Sequence, residues 1–254
     1  MTTNTTTTTT LDGGQSSTTH DAEGAAPVGA LVGSQIGIDC PEALADWFER
    51  VYAQAQEHAG RAPWCHGGSN PSFIAWLNAE APSIIRPGAR VVVAACGLGH
   101  DVAELVRRGY DAVGFDLAPT CVELAKKEHP ELAERFFQAD LLDLPARLRG
   151  RYDLVVEIHT IQSAPPSMRP ALVQGLCGML HRHGVLIAIA RGRDVSEPIE
   201  SIVGPPHPLT AGELESLFAA EGLTPTRAID DFFDDNDPPA RRLRGVFTVD
   251  HNDA

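Results

Sequence analysis

The sequence predicts an α/β fold: a Rossmann-like, doubly wound, mostly parallel seven-stranded sheet with helices on both faces and an antiparallel C-terminal edge hairpin. Three observations predict it. From residue 90 onward, short apolar runs rich in β-branched residues alternate with helical periodicity. The first run, Val91-Val92-Val93-Ala94, breaks into the glycine turn Ala95-Cys96-Gly97-Leu98-Gly99-His100-Asp101. A second run, Val113-Gly114-Phe115-Asp116, ends in an acid seventeen residues past Gly99. A strand feeding a glycine turn and a helix, then a strand closed by a carboxylate, opens a nucleotide-binding sheet.

The elements follow in order. Residues 1–35 are threonine-, glycine- and serine-rich and carry too little apolar surface to offset their ordering entropy, so a disordered tail is expected. A single domain is expected over 36–254. Leu44, Phe48, Val51, Tyr52 and Ala55 recur at helical spacing between Pro41 and His58. The loop Pro63 to Pro71 is dense in turn residues, and Phe73 to Leu77 restarts a helix. Residues 41–85 are thus expected to form a helical lid. Pro87-Gly88 turns into the strand at Arg90, and a helix over about 101–108 leads to the strand ending at Asp116. Pro119 opens a helix that closes near His129-Pro130. Strands are expected over 135–139, 152–158 and 184–190, with a helix over 170–181 between the last two. Thr210 with Glu213 forms a capping box for a helix over 211–221. Strands over about 226–233 and 243–249 complete the sheet.

Composition excludes several functions. The net charge is 20 − 34 = −14, which disfavours nucleic acid and anionic membrane as partners. No apolar run reaches bilayer-spanning length, and no secretory signal is read. Five cysteines without CxxC spacing read as reduced thiols, so a cytoplasmic protein is expected. The acidic run Asp230, Asp231, Asp234, Asp235 and Asp237 reads as a solvated loop balanced by Arg241, Arg242 and Arg244, and no metal site is expected.

The glycine turn narrows the ligand. The dinucleotide fingerprint needs a third glycine three residues after Gly99, where this chain has Val102. The turn is poorly built for a pyrophosphate and suits a smaller adenosine ligand, S-adenosylmethionine. A nicotinamide oxidoreductase is the weaker alternative.

The order of motifs then resembles a class I S-adenosylmethionine-dependent methyltransferase of the thiopurine, halide and thiol methyltransferase superfamily. Ala95-Cys96-Gly97-Leu98-Gly99-His100-Asp101-Val102 resembles its glycine loop, and Gly114-Phe115-Asp116-Leu117-Ala118-Pro119 its second strand. Pro63-Trp64 resembles its Pro-Trp-acid segment, with Cys65 in place of the acid. Tyr152 to Glu157, then Ala164 to Pro170, resembles its fourth strand and following helix. Gly204 to Thr210 resembles the segment before its sixth helix. His159 and Gln162 stand where halide-type relatives tend to differ.

The candidate cofactor-binding residues are Trp64, Cys96, Gly97, Gly99, Asp116, Leu117, Asp140, Leu141 and Glu157. Gly97 and Gly99 permit close backbone approach. Asp116 is expected on the ribose hydroxyls in preference to capping the next helix. The resemblance implies that the Asp140-Leu141 segment touches adenine and that Glu157 sits beside the methionine part. The candidate catalytic residues are His159 and Glu157, because a histidine past the fourth strand can take a proton near neutral pH. The candidate acceptor-binding residues are Trp64, His66, Phe73, His159 and Arg191. The expected reaction is methyl transfer to a small molecule, with S-adenosylhomocysteine as product and a thiol as the preferred acceptor. An O- or N-methyltransferase using His159 as base, and a non-catalytic cofactor-binding module, are the alternatives. A monomer or weak homodimer is expected.

Overall fold

The computed structural model describes residues 1, 40–57, 62, 64–65, 67–199, 202, 204–236 and 238–249. Most of the low-complexity tail, Pro63 and His66 lie outside the described residues.

One sheet organises the chain. Its strands are β1 (Arg90–Ala94), β2 (Asp111–Asp116), β3 (Phe136–Gln138), β4 (Tyr152–Ile158), β5 (Leu180–Arg191), β6 (Leu223–Pro225), β7 (Asp230–Phe233) and β8 (Arg241–Val249). The order is β3-β2-β1-β4-β5-β8-β6, and β7 also pairs with β8. The first five strands are mutually parallel, and β8 returns antiparallel to β5. Reversal of strand order around β1 and β4 opens a crevice at their carboxyl ends, where ligands bind in such sheets.

The interleaved helices are α1 (Pro41–Glu57), α2 (Pro71–Ala79), the short α3 (Ala81–Ile84), α4 (His100–Arg107), α5 (Pro119–Glu128), α6 (Arg169–Gly178) and α7 (Ala211–Ala219). The side-chain period of two divides each buried strand between two cores. Val92 and Val155 pack on one face with Leu172, Leu176 and Phe218, while Val91, Val93, Leu154 and Val156 pack on the other with Phe73, Trp76 and Leu105. Burial on both faces explains why these strands read as continuous apolar runs.

Two expectations needed adjustment. The fifth strand begins at Leu180, not at Gly184, because Leu180 pairs with Tyr152 before a register shift brings Val185 opposite Leu154. The strand expected over 226–233 is shorter, β7 alone, and a separate short strand, β6, precedes it at Leu223–Pro225; the two lie end to end along the outer edge of β8. Arg227, between them, instead pairs with Glu80 and Asp230.

The first helix is fixed by its own small core. Trp47, Val51 and Tyr52 pack on Ala118 and Cys121 at the start of α5. The Glu49 carboxylate accepts from Thr120 N at 3.1 Å, filling one of the orphan amides of that helix end. The first helix therefore borders the crevice, with Leu44, Trp47, Phe48 and Tyr52 lining it.

Candidate active site

A cavity of about 430 Å³ lies at the carboxyl ends of β1, β2 and β4, beneath α1. Its floor is the glycine turn. Gly97 has φ +55°, and a Cβ there would meet only the Tyr52 hydroxyl, 3.7 Å away. Its backbone therefore faces open space. Gly99 has a different reason to be glycine. With φ +82° it starts α4, and a Cβ would fall 2.5 Å from the Phe136 ring. Gly99 serves packing against β3 rather than ligand approach. Gly114, in β2, makes the room for Val102 that the dinucleotide pattern assigns to a helix glycine.

Asp116 closes β2 in the cavity wall and is almost completely buried. Its Oδ2 accepts from Gly97 N at 3.1 Å and its Oδ1 from Ala118 N at 3.2 Å. Burial raises its pKa, and the amides of Ala118 and Gly97 partly oppose that rise. A single carboxylate thus braces the turns after both strands and still borders the cavity. Cys96, Leu117, Asp140 and Leu141 line the same region, and Asp140 shapes its turn by accepting from Leu142 N at 2.8 Å.

The roof is aromatic. Trp64 donates from Nε1 to the Tyr52 hydroxyl at 2.9 Å and lies against Trp47, Phe48 and Tyr52, with ring centroids 5.8–6.0 Å apart. Burial pushes the Tyr52 phenol well above its ordinary value, so it stays neutral. At the far end, Gln162, Ser163, Arg191 and Arg242 line the cavity with His159. His159 adopts φ +63°, held there by Ser163 Oγ on its carbonyl at 2.6 Å and by its own amide on Ile189 O at 2.8 Å. Its Nε2 faces Arg242 Nη1 at 3.5 Å.

The structure gathers Trp64, Cys96, Gly97, Asp116, Leu117, Asp140, Leu141, His159 and Arg191 around one cavity. Three candidates are not among its lining: Gly99, which packs against Phe136 instead, and Phe73 and Glu157. Phe73 is fully buried in the core, stacked on Trp76 with centroids 6.0 Å apart. Its helix begins at the Asn70 cap, which turns this aromatic into the sheet. Glu157 is also fully buried, and its Oε1 accepts from Thr160 N at 2.7 Å and Ile161 N at 3.1 Å. Burial pushes its carboxyl up to about 7, against the pull of those amides. It braces the loop that carries His159 and does not reach the cavity surface.

Other lining residues escaped sequence reasoning. Asp101 accepts from Asn70 N at 2.9 Å, and burial pushes it up to about 6 despite that bond. It ties the loop after Trp64 to the start of α4. Its place in the glycine motif was the available signal. Tyr52 reads as one more apolar helix position, and Arg242 as balance for an acidic loop. Among the described residues no group of histidine, cysteine and acid side chains could hold a metal ion. Among them no helix is long and apolar enough to cross a membrane.

The residues present fit S-adenosylmethionine: an open glycine backbone at Gly97, a carboxylate at Asp116 and apolar walls at Leu117 and Leu141. Comparison with known proteins agrees. A family model described as thiopurine S-methyltransferase (TPMT) matches residues 54–252. The 2-heptyl-1-hydroxyquinolin-4(1H)-one methyltransferase of Mycobacteroides abscessus is 27% identical over 197 residues, covering 73% of this chain and 82% of that protein. A probable thiol methyltransferase 2 of Arabidopsis thaliana is 28% identical over 181 residues, covering 68% of this chain and 73% of that one. A solved structure described as "Conversion of a Disulfide Bond into a Thioacetal Group during Echinomycin Biosynthesis" superposes with a TM-score of 0.65 at 23% identity, covering 82% of this chain and 94% of that one. With glycine turn, strand-end carboxylate and family match in agreement, the chain belongs to the thiopurine S-methyltransferase family and is an S-adenosylmethionine-dependent small-molecule methyltransferase.

Proposed function

We propose that this protein methylates the thiol of a small molecule. The observation that carries this reading is the 3.5 Å approach of Arg242 Nη1 to His159 Nε2 at the acceptor end. A guanidinium thus stands beside the ring nitrogen a base would use, and a second guanidinium, Arg191, lines the same end. Such a site favours an acceptor that arrives as an anion over one that must be deprotonated in place. A thiol meets that demand, because a useful fraction is thiolate near neutral pH. The relatives named as thiol and thiopurine S-methyltransferases support the same class.

When bound, S-adenosylmethionine supplies an electrophilic methyl group on a sulfonium, which in-line displacement moves to the acceptor. The chain's task is to position and to exclude water. Asp116, Gly97, Leu117, Asp140 and Leu141 would hold the nucleoside portion. The Tyr52–Trp64 roof, joined by its 2.9 Å hydrogen bond, covers the cavity. Arg242 and Arg191 hold the acceptor's negative charge, with the thiol proton released to solvent beforehand. His159 orients the acceptor. Glu157 acts indirectly, by fixing the His159 loop.

A second reading is O-methylation of a ring hydroxyl. It is favoured by the apolar lining of Leu44, Trp47, Phe48 and Leu172, and by the M. abscessus relative, named for a hydroxyquinolone. The test is turnover with S-adenosylmethionine against matched thiols and phenols. Faster methylation of thiols supports the proposal, and turnover confined to phenols overturns it. We further place the protein in the cytoplasm, since its five cysteines are all unbridged. A monomer or weak homodimer fits the few large apolar side chains exposed among the described residues, Ile84, Val195 and Phe233 besides Met1.

A further inference from the structure

Gln162 lies in the loop after β4, is only 5% exposed and borders the cavity beside His159. Its side-chain oxygen accepts from the backbone amide of Arg191, at the end of β5. Its own carbonyl accepts from His207 N at 2.7 Å, in the loop that brings Pro205 and Pro206 to the cavity. Gln162 thus joins three segments of the acceptor end, its side chain bonded to the end of β5 and its backbone to the His207 loop.

That fixation decides which way the carboxamide points. A backbone N–H can only donate, so the atom opposite Arg191 N must be the oxygen. The NH₂ group is therefore turned the other way. Among the described residues this Nε2 donates to nothing, and it is not one of the side-chain atoms sealed off without a partner, as Glu157 Oε2 and Thr160 Oγ1 are. The neighbouring side chains at this end, Arg191 and Arg242, are also donors. Arg242 is itself locked by Nε on Asp234 Oδ2 at 2.7 Å. An acceptor entering here meets the N–H groups of Gln162, Arg191 and Arg242 beside the His159 ring and the Ser163 hydroxyl.

We infer that Gln162 is a specificity-determining residue whose amide NH₂ binds a hydrogen-bond-accepting group of the acceptor substrate, a carboxylate, carbonyl oxygen or ring nitrogen carried in addition to its nucleophile. The inference rests on the small-molecule methyl-transfer reading and narrows its substrate class. A site built to bond such a group discriminates strongly against analogues lacking it, because its own polar atoms are then left unpaired.

The test uses thiosalicylate against thiophenol, and salicylate against phenol, with wild type and Gln162→Glu. Glutamate keeps an oxygen for the Arg191 amide but replaces the donor with an acceptor. Calorimetric affinity for S-adenosylhomocysteine, expected within about twofold of wild type, reports that the fold and cofactor site survive, since a loss of tenfold would mean more than a kilocalorie of damage. Acceptor affinity is then titrated into the S-adenosylhomocysteine complex, and kcat/KM is measured with the methyl donor. Wild type is expected to prefer the carboxylate-bearing member by roughly ten- to hundredfold, the range for one hydrogen bond to a charged group. Gln162→Glu is expected to erase that preference. A Gln162-dependent preference seen only among the phenols supports the donor while removing the thiol assignment. A preference that survives in Gln162→Glu, or no preference in wild type for either pair, overturns the inference.

Discussion

The carboxylate of Asp116 holds the backbone amide of Gly97 at 3.1 Å, so the acid ending the second strand is bonded directly to the glycine turn ending the first. The two motifs stand nineteen positions apart in the chain and meet because β1 and β2 are parallel neighbours, with Ala94 opposite Phe115. One side chain therefore sets the turn and presents charge to the cavity.

Asp116→Ala removes both functions. S-adenosylhomocysteine affinity is expected to fall by roughly a hundredfold, the scale of losing hydrogen bonds to a charged acceptor. Calorimetric titration measures it, and affinity within threefold of wild type would remove Asp116 from the cofactor site.

Glu157→Gln separates a bracing role from a catalytic one. The carboxyl is pushed from 4.5 up to about 7 in the folded protein. The unfolded chain thus loses this proton first, and stability falls as pH rises from about 4.5 through about 7. Glutamine keeps the acceptor for Thr160 and Ile161 without the charge. The variant is expected to gain on wild type across that window, by at most about 3 kcal/mol. Denaturation at pH 5 and pH 8 checks this. Turnover is expected to stay within roughly fivefold, short of the hundredfold or more attached to a lost general acid or base.

His159→Ala reports the nucleophile. With a thiol acceptor, turnover is expected to fall by less than roughly tenfold, and with a phenol by roughly a hundredfold or more. A pH–rate profile of both proteins distinguishes the cases. Loss of a base removes the acidic limb for the phenol only.

Gly114→Ala tests the packing that replaces the dinucleotide glycine. The new Cβ would lie 2.7 Å from Val102 Cγ2 and 2.8 Å from Cys96 Sγ. A loss of about 1–3 kcal/mol is expected from overpacking. Val102→Ala on the same background is expected to recover part of it, as a double-mutant cycle by denaturant unfolding would show. Additive losses would deny the contact.

Arg169 and Arg193 bear on how the acceptor loop is held. Arg169 donates to the carbonyl of His207 and Arg193 pairs with Glu213, both almost completely buried. Arg169→Met is expected to raise the acceptor KM more than it changes cofactor affinity, because the loop it anchors carries Pro205 and Pro206. Equal effects on both would show a general loss of structure.

The sequence by itself determined the sheet, its polarity and the class of cofactor. Those features follow from local periodicity and from steric demands that act within a few residues. Val91 to Ala94 reads as a strand buried on both faces, Gly97 as a turn needing positive φ, and Asp116 as a carboxylate at a strand end. Only the tertiary structure decided what the remaining polar groups do. Glu157 and His159 are two positions apart, yet one is sealed under the loop and the other opens on the cavity, because the chain leaves the strand and enters φ +63° at His159. Phe73 and Trp64 look alike as aromatics, yet one packs beneath the sheet and the other roofs the site. Arg242 reaches His159 from β8, far away in the chain, through pairing of β4, β5 and β8, and the carboxamide of Gln162, in the His159 loop itself, is turned by the amide of Arg191 at the end of β5. Local patterns carry no information about such encounters, since burial and partners are properties of the assembled sheet rather than of any one segment.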